Sequence, residues 1–357
     1  MGIQTVSQAL SNENGGSSPF GFKNRIINGA MVIDQRNAGA SVTPTNEQYT
    51  VDRWNAWRSQ ASKYSVQQNA GSVTPPVGFK NYLGVTSLSA YSLLTSDYFI
   101  LAQKIEGYNF SDLAWGTANA QTVTLSFKVY SSLTGTFGGS IQNSAQNRSY
   151  PFSYTVSFAN AWTNVSITIP GETSGTWLTT NGIGAYLWFG LGVGSTLSGT
   201  AGAWASAAYF SATGATSVVS NNGATFYITG VQLEKGLQAT AFDYRDYGNE
   251  LRLCQRYYWR FGSTSGGWRP LNYIDGTSIY RASWDHPVTM RASPTIATTG
   301  GFAYRYNGTQ TNGSVSSTSL EAGMTSVSFS CPSAPNTFGT GILVSLTDSL
   351  WAVSAEL

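Results

Sequence analysis

Charged residues are scarce in this sequence, and histidine and cysteine are nearly missing. Charged side chains make up 10% of the 357 residues, and the chain has one histidine and two cysteines. A surface with so few charges is hydrated by serine, threonine, asparagine, glutamine and glycine, which is unusual for a cytoplasmic enzyme. With a formal net charge of +2, the sequence has no basic patch that would bind a nucleic-acid backbone.

The scarcity of histidine and cysteine also limits the available chemistry. His286 is the one candidate for a Ser-His-Asp or Cys-His arrangement, and we interpret it as a structural histidine. Cys254 and Cys331 cannot supply the four ligands of a zinc site. Because Leu251 and Tyr257 lie close to Cys254 in the sequence, we predict that its thiol is free and buried. The sequence predicts no catalytic residue and no metal site.

Carboxylates offer no recognisable glycosidase pair. Such enzymes place two acids about 5 Å apart for retention or about 6.5–9.5 Å apart for inversion. The sequence spacing pairs none of the candidates, which are Asp97, Glu106, Asp112, Glu172, Asp243, Asp275 and Asp285. No Asp-x-Asp run indicates calcium, so no cofactor is predicted, although structural calcium stays open.

Long apolar runs and targeting signals are also missing. Residues 1–24 are rich in serine, asparagine and glycine and have no basic stretch followed by an apolar one, so the sequence predicts a flexible leader and no signal peptide. The most apolar run, residues 183–194, is too short and too rich in glycine to cross a membrane. We interpret its "GLGVG" as glycines that ease strand packing, because no helix follows it.

What the sequence does contain is strand periodicity. Residues 121–130 and 162–169 alternate apolar and polar side chains, which is typical of half-buried strands. The apolar stretch "RIINGAMVI" at residues 25–33 also predicts a strand. Glycine-rich turns separate these segments, and the pattern favours an all-β fold with an antiparallel, jelly-roll-like β-sandwich.

One predicted strand changes phase. In residues 225–234, Phe226 and Ile228 share one parity, and Val231 and Leu233 share the other. A β-bulge at Gly230 would place all four side chains on the core face, so the sequence predicts a bulge there.

A single short stretch has helical spacing. Residues 250–258, "ELRLCQRYY", place Leu251, Cys254 and Tyr257 on one face. Arg252, Arg256 and Arg260 follow at intervals of four, where like charges repel slightly. They form either a solvated face or a face opposite acids, which would come from Asp243, Asp246 or a neighbouring subunit. Together with Tyr258 they are the candidates for a subunit interface. The predicted segments are therefore a leader (1–24), a β-sandwich (25–245), a linker helix (246–258) and a second, C-terminal β-sandwich domain (259–357).

Several motifs in this order resemble tail-fibre and related virion surface proteins of tailed bacteriophages. The motifs are "FKNRIINGAMVIDQRN" (22–37), "YTVDRWN" (49–55), "TVTLSFKV" (122–129), "ITGVQLEKGLQATAFDYRDYGNELRLCQRYY" (228–258) and "HPVTMRASPTI" (286–296). The resemblance implies a sandwich like a carbohydrate-binding module, then a short helix and a C-terminal β domain. Two features depart from it: His286 stands where an aromatic residue is expected, and the last sixty residues carry no motif.

The resemblance also implies partners and a location. It implies a homotrimeric fibre or spike that is assembled in the host cytoplasm and acts outside the cell. Residues 1–24 would dock on tail or capsid proteins of the virion, and the C-terminal domain would bind a host surface polysaccharide. No membrane insertion is expected.

Ligand-binding candidates are aromatic residues beside polar ones, because a sugar ring has an apolar face and a hydroxyl rim. In loops of the C-terminal domain they are Trp268, Arg269, Tyr273, Tyr304, Arg305, Tyr306 and Asn307. Packing or a subunit interface would also explain each of these aromatic residues. Trp54, Trp115 and Trp188 are predicted to be core residues.

Three functions follow from this reading. The first is a non-enzymatic fibre or spike subunit that binds a host glycan. The second is a purely structural virion protein, such as a capsid decoration or a tail adaptor. The third, a depolymerase that degrades glycans, has the least support, because no carboxylate pair can be identified.

Overall fold

The chain divides into two compact units, each built from antiparallel β-sheets. The first unit is Met1–Tyr247 together with Leu357, and the second is Gly248–Glu356. The computed structural model describes residues 23–261, 268–270, 273–275, 279–299, 302–306, 309–320, 322–330, 342–345 and 350–357.

The strands of the first unit are, in chain order, β1 (Gln48–Val51), β2 (Trp54–Arg58), β3 (Tyr64–Gln68), β4 (Leu83–Ser87), β5 (Tyr98–Glu106), β6 (Val123–Ser131), β7 (Gly135–Asn143), β8 (Ser149–Val156), β9 (Thr163–Ile169), β10 (Ile183–Val193), β11 (Ser198–Gly199), β12 (Ser211–Ala212) and β13 (Thr225–Lys235). Short 3-10 helices lie at Ala70–Ser72, Gly107–Asn109, Ser111–Leu113 and Ser195–Leu197.

Two sheets pack face to face in the first unit. One has the strand order β1-β2-β5-β10-β7-β8, and the other has the order β3-β4-β13-β6-β9. Their facing side chains form one continuous apolar core that includes Trp54, Leu125, Ile141 and Leu187. The predicted antiparallel β-sandwich is therefore confirmed. Among the described strands, the one exception to antiparallel pairing is a short parallel pair, β11 with β12.

The predicted alternation and the predicted bulge are both confirmed. In β6, the apolar side chains that alternate along the strand are all in the core. In β13, the pairing with β6 shifts register between Thr229 and Gln232, and Gly230 has a φ of 63°. The core contains Phe226 and Ile228 before the bulge as well as Val231 and Leu233 after it.

The predicted strand at residues 25–33 is wrong. Asn28 and Met31 adopt φ angles of 58° and 57°, which break an extended chain. The Asn28 side chain donates to the carbonyl oxygen of Ile33 at 2.8 Å and accepts from its amide at 3.0 Å. The segment stays apolar and buried, so its composition indicated burial and not strand geometry.

The tryptophans predicted for the core lie there. Trp54 and Trp188 have no exposed surface, and Trp115 is 5% exposed. The glycines of "GLGVG" lie in or next to β10. A Cβ on Gly190 would come within 2.8 Å of Ser211 Oγ. This confirms that these glycines serve strand packing.

The second unit begins in the one α-helix of the described residues, α1 (Tyr247–Gln255). Its strands are β14 (Tyr258–Phe261), β15 (Trp268–Pro270), β16 (Tyr273–Asp275), β17 (Ile279–Asp285), β18 (Thr295–Thr299), β19 (Phe302–Tyr306), β20 (Thr309–Leu320), β21 (Met324–Ser330), β22 (Ile342–Ser345) and β23 (Leu350–Ser354). They form a sheet of order β14-β23-β18 and a sheet of order β15-β22-β19-β20-β21-β17-β16. The expected second β domain is thus present.

The arginine spacing does not form one helical face. Helix α1 ends at Gln255, and Arg260 lies in β14, which pairs with β23. Arg252 is exposed on the helix, whereas Arg256 Nη1 donates to the carbonyl oxygen of Thr289 at 3.4 Å. The linker helix was predicted at residues 246–258; α1 lies within that range and ends three residues earlier, and Arg260 follows it in β14. Tyr258, the fourth interface candidate, is 8% exposed.

Cys254 and His286 are both structural residues of the second unit. Cys254 has no exposed surface, so its predicted burial is confirmed. His286 is 7% exposed, and its Nδ1 accepts a hydrogen bond of 3.0 Å from the indole of Trp259. Cys331 lies outside the described residues.

Two buried tyrosines make a matched pair for a stability test. The Tyr64 hydroxyl donates to the carbonyl oxygen of Trp57 at 3.1 Å, whereas the buried Tyr154 hydroxyl has no partner among the described residues. We expect Tyr64→Phe to lower the free energy of unfolding by about 1 kcal/mol, and Tyr154→Phe to leave it unchanged or raise it. Urea unfolding of both variants is the measurement. A larger loss in Tyr154→Phe than in Tyr64→Phe would contradict the structure.

A buried carboxylate predicts acid sensitivity of the first unit. Asp97 is 3% exposed, and burial by itself would raise its pKa. Hydrogen bonds from Ser59 Oγ, the Leu94 amide and the Tyr91 hydroxyl, at 2.7, 2.8 and 2.8 Å, favour the ionised form. They lower the pKa of Asp97 below its ordinary value.

A lowered pKa in the folded state means that the carboxylate stabilises the fold above its unfolded pKa of about 3.9. That stability is lost as the pH falls through the lower folded pKa. Asp97→Asn should therefore lower the free energy of unfolding by about 1–3 kcal/mol at neutral pH. On acidification below about pH 4, the variant should lose less of its free energy of unfolding than the wild type does. Urea unfolding at a series of pH values tests this. Parallel acid profiles for the two proteins would count against it.

Candidate functional site

The segment between β10 and β13 crosses the outer face of the six-stranded sheet. It contains β11, an exposed turn, Trp204, Tyr209 and β12. Ala205 forms a β-bridge with Ser149 of β8, and the Gly202 amide donates to the carbonyl oxygen of Pro151 at 2.9 Å. These main-chain hydrogen bonds fix the segment to the sheet edge.

Small residues let this segment lie directly on the sheet. A Cβ on Gly138 would come within 2.5 Å of Ser211 Oγ. Ser140 Oγ donates to the carbonyl oxygen of Tyr209 at 2.5 Å, and Gln142 Nε2 donates to the same oxygen. The position of Tyr209 is thus set by two side chains of β7.

An open pocket of about 560 Å³ forms within this segment. Its lining residues are Ser198, Gly199, Thr200, Ala203, Trp204, Ala205, Tyr209 and Thr213. The volume falls within the roughly 300–1,000 Å³ of small-molecule sites. We call it the Trp204–Tyr209 pocket.

The Trp204 ring is partly exposed, and a hydrogen bond and three aromatic contacts fix its position. Its Nε1 donates to the carbonyl oxygen of Pro170 at 2.9 Å. Its ring lies 5.2 Å from Trp115, 5.7 Å from Trp177 and 5.2 Å from Tyr150, measured between ring centroids. A ring packed in this way has little conformational freedom to lose when a ligand binds.

Tyr209 forms a second aromatic wall. Its ring lies against Gly199, where a Cβ would come within 2.2 Å of Cδ2. The hydroxyls of Thr200, Tyr209 and Thr213 make no hydrogen bond to any other described residue. The pocket therefore combines two aromatic rings with three hydroxyls that can donate to and accept from a ligand.

A buried ion pair lies beside the pocket. Arg148 Nη2 is 2.6 Å from Glu172 Oε2, and Arg148 Nη1 donates to Ser206 Oγ at 2.5 Å. Ser206 directly follows Ala205 of the pocket lining. The Glu172 side chain is 3% exposed and that of Arg148 is 18% exposed. The pair ties the pocket segment to the loops that hold Trp177.

The predicted ligand residues lie in the second unit, away from this segment in the sequence. Trp268 and Arg269 belong to β15, Tyr273 to β16, and residues 304–306 to β19. They are thus placed in strands rather than in the expected loops. Their side chains, and Asn307 as a whole, lie outside the described residues, so their binding role stays a prediction.

Three of the candidate acids, Asp97, Asp112 and Glu172, are engaged in structural contacts. Asp112 accepts from Arg25 at 2.6 Å, and Asp97 and Glu172 have the partners given above. Among the described residues, no group of three or more His, Cys, Asp or Glu side chains could hold a metal ion. In the same part of the chain, no helix is long and apolar enough to cross a membrane.

Sequence reasoning missed the pocket. Residues 198–210, "SGTAGAWASAAYF", consist of small residues around three aromatic residues, Trp204, Tyr209 and Phe210. Aromatic residues in a glycine- and alanine-rich loop have few bulky neighbours to cover them. This pattern is the sequence feature that could have predicted exposed aromatic rings here. Whether these rings form a pocket depends on the fold, because β7 and β8 hold the loop in place.

No family model and no curated protein matches this sequence. Among solved structures, the enzymatically active domain of bacteriophage CBA120 tailspike protein 4 is 12% identical with a TM-score of 0.32, over 60% of this chain and 21% of that chain. The match thus spans about a fifth of the tailspike chain.

Two bacterial proteins are similar at the same level. A family 11 carbohydrate-binding module from Clostridium thermocellum, in complex with a mixed-linked tetrasaccharide, is 13% identical with a TM-score of 0.29, over 55% of this chain and 96% of that chain. A protein from Bacteroides thetaiotaomicron, provisionally described as sugar-binding, is 14% identical with a TM-score of 0.36, over 60% of this chain and 100% of that chain.

Proposed function

We propose that the protein is a non-enzymatic, saccharide-binding subunit of a bacteriophage tail fibre or spike, and that the Trp204–Tyr209 pocket is a saccharide site. The observation that carries the proposal is the pairing of two fixed aromatic rings with three hydroxyls around one open pocket. Aromatic faces pack on the C–H face of a pyranose, and the hydroxyls hydrogen-bond to its rim.

The virion assignment is supported by the sequence motifs that resemble tail-fibre proteins. On this proposal the protein is a homotrimer, residues 1–24 attach it to tail or capsid proteins, and it acts outside the cell on a host surface polysaccharide. Mass photometry tests the assembly, because a stable monomer at micromolar concentration would contradict the trimer.

Binding is tested with an immobilised array of bacterial surface saccharides and with adsorption assays. We expect the purified protein to bind particular saccharides and to compete with the phage for adsorption to host cells. A protein that decorates particles but binds neither cells nor saccharides would be a structural virion protein. Release of reducing sugar from host polysaccharide would instead establish a depolymerase.

The composition of the pocket predicts that binding needs no metal ion. Its lining contains hydroxyl, aromatic and small aliphatic side chains and no carboxylate, whereas calcium sites in proteins are built from several oxygen ligands that include carboxylates. Dialysis against EDTA should leave the dissociation constant unchanged. A loss of binding that added calcium restores would contradict this expectation.

A further inference from the structure

We propose that the Trp204–Tyr209 pocket selects an uncharged saccharide, and that the Arg148–Glu172 ion pair excludes acidic sugars by keeping the pocket wall neutral. The inference rests on the proposed function, because it specifies the class of sugar that the pocket accepts. It distinguishes this site from one that recognises the acidic polysaccharides found on many cell surfaces.

The lining itself carries no charge at neutral pH. It consists of serine, threonine, glycine, alanine, tryptophan and tyrosine residues. A carboxylate or phosphate on the sugar would lose water on entering the pocket, and no cation in the lining would compensate. The hydroxyl groups of a neutral sugar, by contrast, find matching donors and acceptors in Thr200, Tyr209 and Thr213.

One cation does lie next to the pocket wall. The Arg148 guanidinium contacts Ser206, the residue after Ala205 of the lining. Its side chain is 18% exposed. An arginine here without a counter-charge would attract acidic sugars, because guanidinium binds carboxylate and phosphate well.

Glu172 removes that attraction. Its Oε2 accepts from Arg148 Nε at 3.2 Å and from Nη2 at 2.6 Å. Its Oε1 accepts from the Ser174 amide at 2.8 Å, which fixes the carboxylate in place. Two donors of the guanidinium are thus committed to an anion and a third to Ser206. The pair presents no net charge to a bound sugar.

If the Arg148–Glu172 pair had only a structural role, Glu172→Gln would affect binding differently. Arg148 also packs against Gly175, where a Cβ would come within 2.6 Å of Arg148 Cγ. If the pair only supports the loops, Glu172→Gln will lower the affinity for neutral and for acidic ligands by the same factor. If it sets specificity, the ratio of the two affinities will change.

The test uses matched probes. Each neutral oligosaccharide that the protein binds on the array is oxidised at its primary hydroxyl to the corresponding uronic acid, and both forms are titrated by calorimetry. We expect the wild type to bind the acidic form at least about tenfold more weakly. Affinity for the neutral form should be unchanged between about 50 and about 500 mM salt.

For Glu172→Gln we expect the affinity ratio of acidic to neutral probe to rise by about tenfold or more. The double variant Arg148→Gln/Glu172→Gln, which is again uncharged, should return the ratio to the wild-type value. If Glu172→Gln does not fold, the return of the ratio in the double variant tests the pair, and the salt dependence and the probe preference of the wild type decide whether the pocket selects an uncharged sugar.

The outcomes separate the two proposals. A wild type that prefers the acidic probe, or whose affinity for it falls steeply with salt, would overturn the neutral-sugar inference but keep the saccharide site. An unchanged affinity ratio in a folded Glu172→Gln variant would remove Arg148 and Glu172 from the specificity argument. Failure to bind any saccharide, or binding that Trp204→Ala leaves intact, would instead refute the pocket as the site.

Discussion

Trp204→Ala is expected to weaken saccharide binding at least about tenfold, equivalent to about 1.4 kcal/mol. The indole supplies the larger of the two aromatic faces in the pocket, and buried aromatic anchors often contribute about 2 kcal/mol or more to a binding interface. Calorimetry with the saccharide that binds the wild type most tightly on the array is the measurement.

This variant needs a control, because Trp204 also packs on Trp115, Trp177 and Tyr150. Trp162→Ala is a matched change: Trp162 is partly exposed, donates through Nε1 to the carbonyl oxygen of Thr74 at 2.9 Å, and packs on two tyrosine rings. It should lose a similar amount of stability and keep full affinity. Equal loss of binding in both variants would indicate general damage and not a site.

Tyr209→Phe is a second, smaller change at the same site. The hydroxyl makes no hydrogen bond to other described residues, so its removal should leave the free energy of unfolding unchanged. It should weaken binding by about 0.5–1.5 kcal/mol if the hydroxyl contacts the sugar. Unchanged affinity here, together with a loss in Trp204→Ala, would place the sugar on the indole side of the pocket.

Gly139→Ala is expected to destabilise the first unit by about 3 kcal/mol or more. Gly139 is buried in β7, and a Cβ there would come within 2.2 Å of the carbonyl oxygen of Trp188 and 2.6 Å of Phe152 Cζ. The first of these atoms is main chain in the neighbouring strand β10, so relief requires the sheet itself to distort.

Gly223→Ala is the matched control for this change. Gly223 lies in an exposed turn with a φ of +74°, and a Cβ added there would meet nothing within 4 Å. It should cost only the strain of a left-handed alanine, about 1 kcal/mol. Urea unfolding followed by tryptophan fluorescence compares the two variants. A smaller loss in Gly139→Ala than in Gly223→Ala would show that the sheet relaxes around the added methyl group.

Strand periodicity was readable from the sequence wherever one face of a strand is buried and the other is not. Residues 123–131 alternate with period two because β6 packs one face on the core. The bulge at Gly230 was readable for the same reason, since only a change of register keeps Phe226 and Val231 on one face. These predictions depend on local strand geometry and on whether each side chain is apolar or polar.

Predictions failed where an apolar stretch is buried by something other than strand pairing. Residues 25–33 were expected to form a strand, but Asn28 and Met31 have positive φ and the chain turns. The linker helix was expected at residues 246–258, but α1 ends at Gln255 and β14 begins at Tyr258. Hydrophobicity reports that a residue is buried, and it does not report which partner buries it.

The sequence by itself determined the class of fold, because strands that alternate apolar and polar side chains and are joined by glycine-rich turns are typical of antiparallel sheets with one buried face. It also determined that Cys254 is buried and that tryptophans such as Trp54 are core residues. Only the tertiary structure decided which aromatic residues line an open pocket. Trp204 and Tyr209 form one pocket because β7 and β8 hold a loop of small residues across the sheet. Those long-range contacts join residues about sixty positions apart, where sequence spacing carries no information about distance.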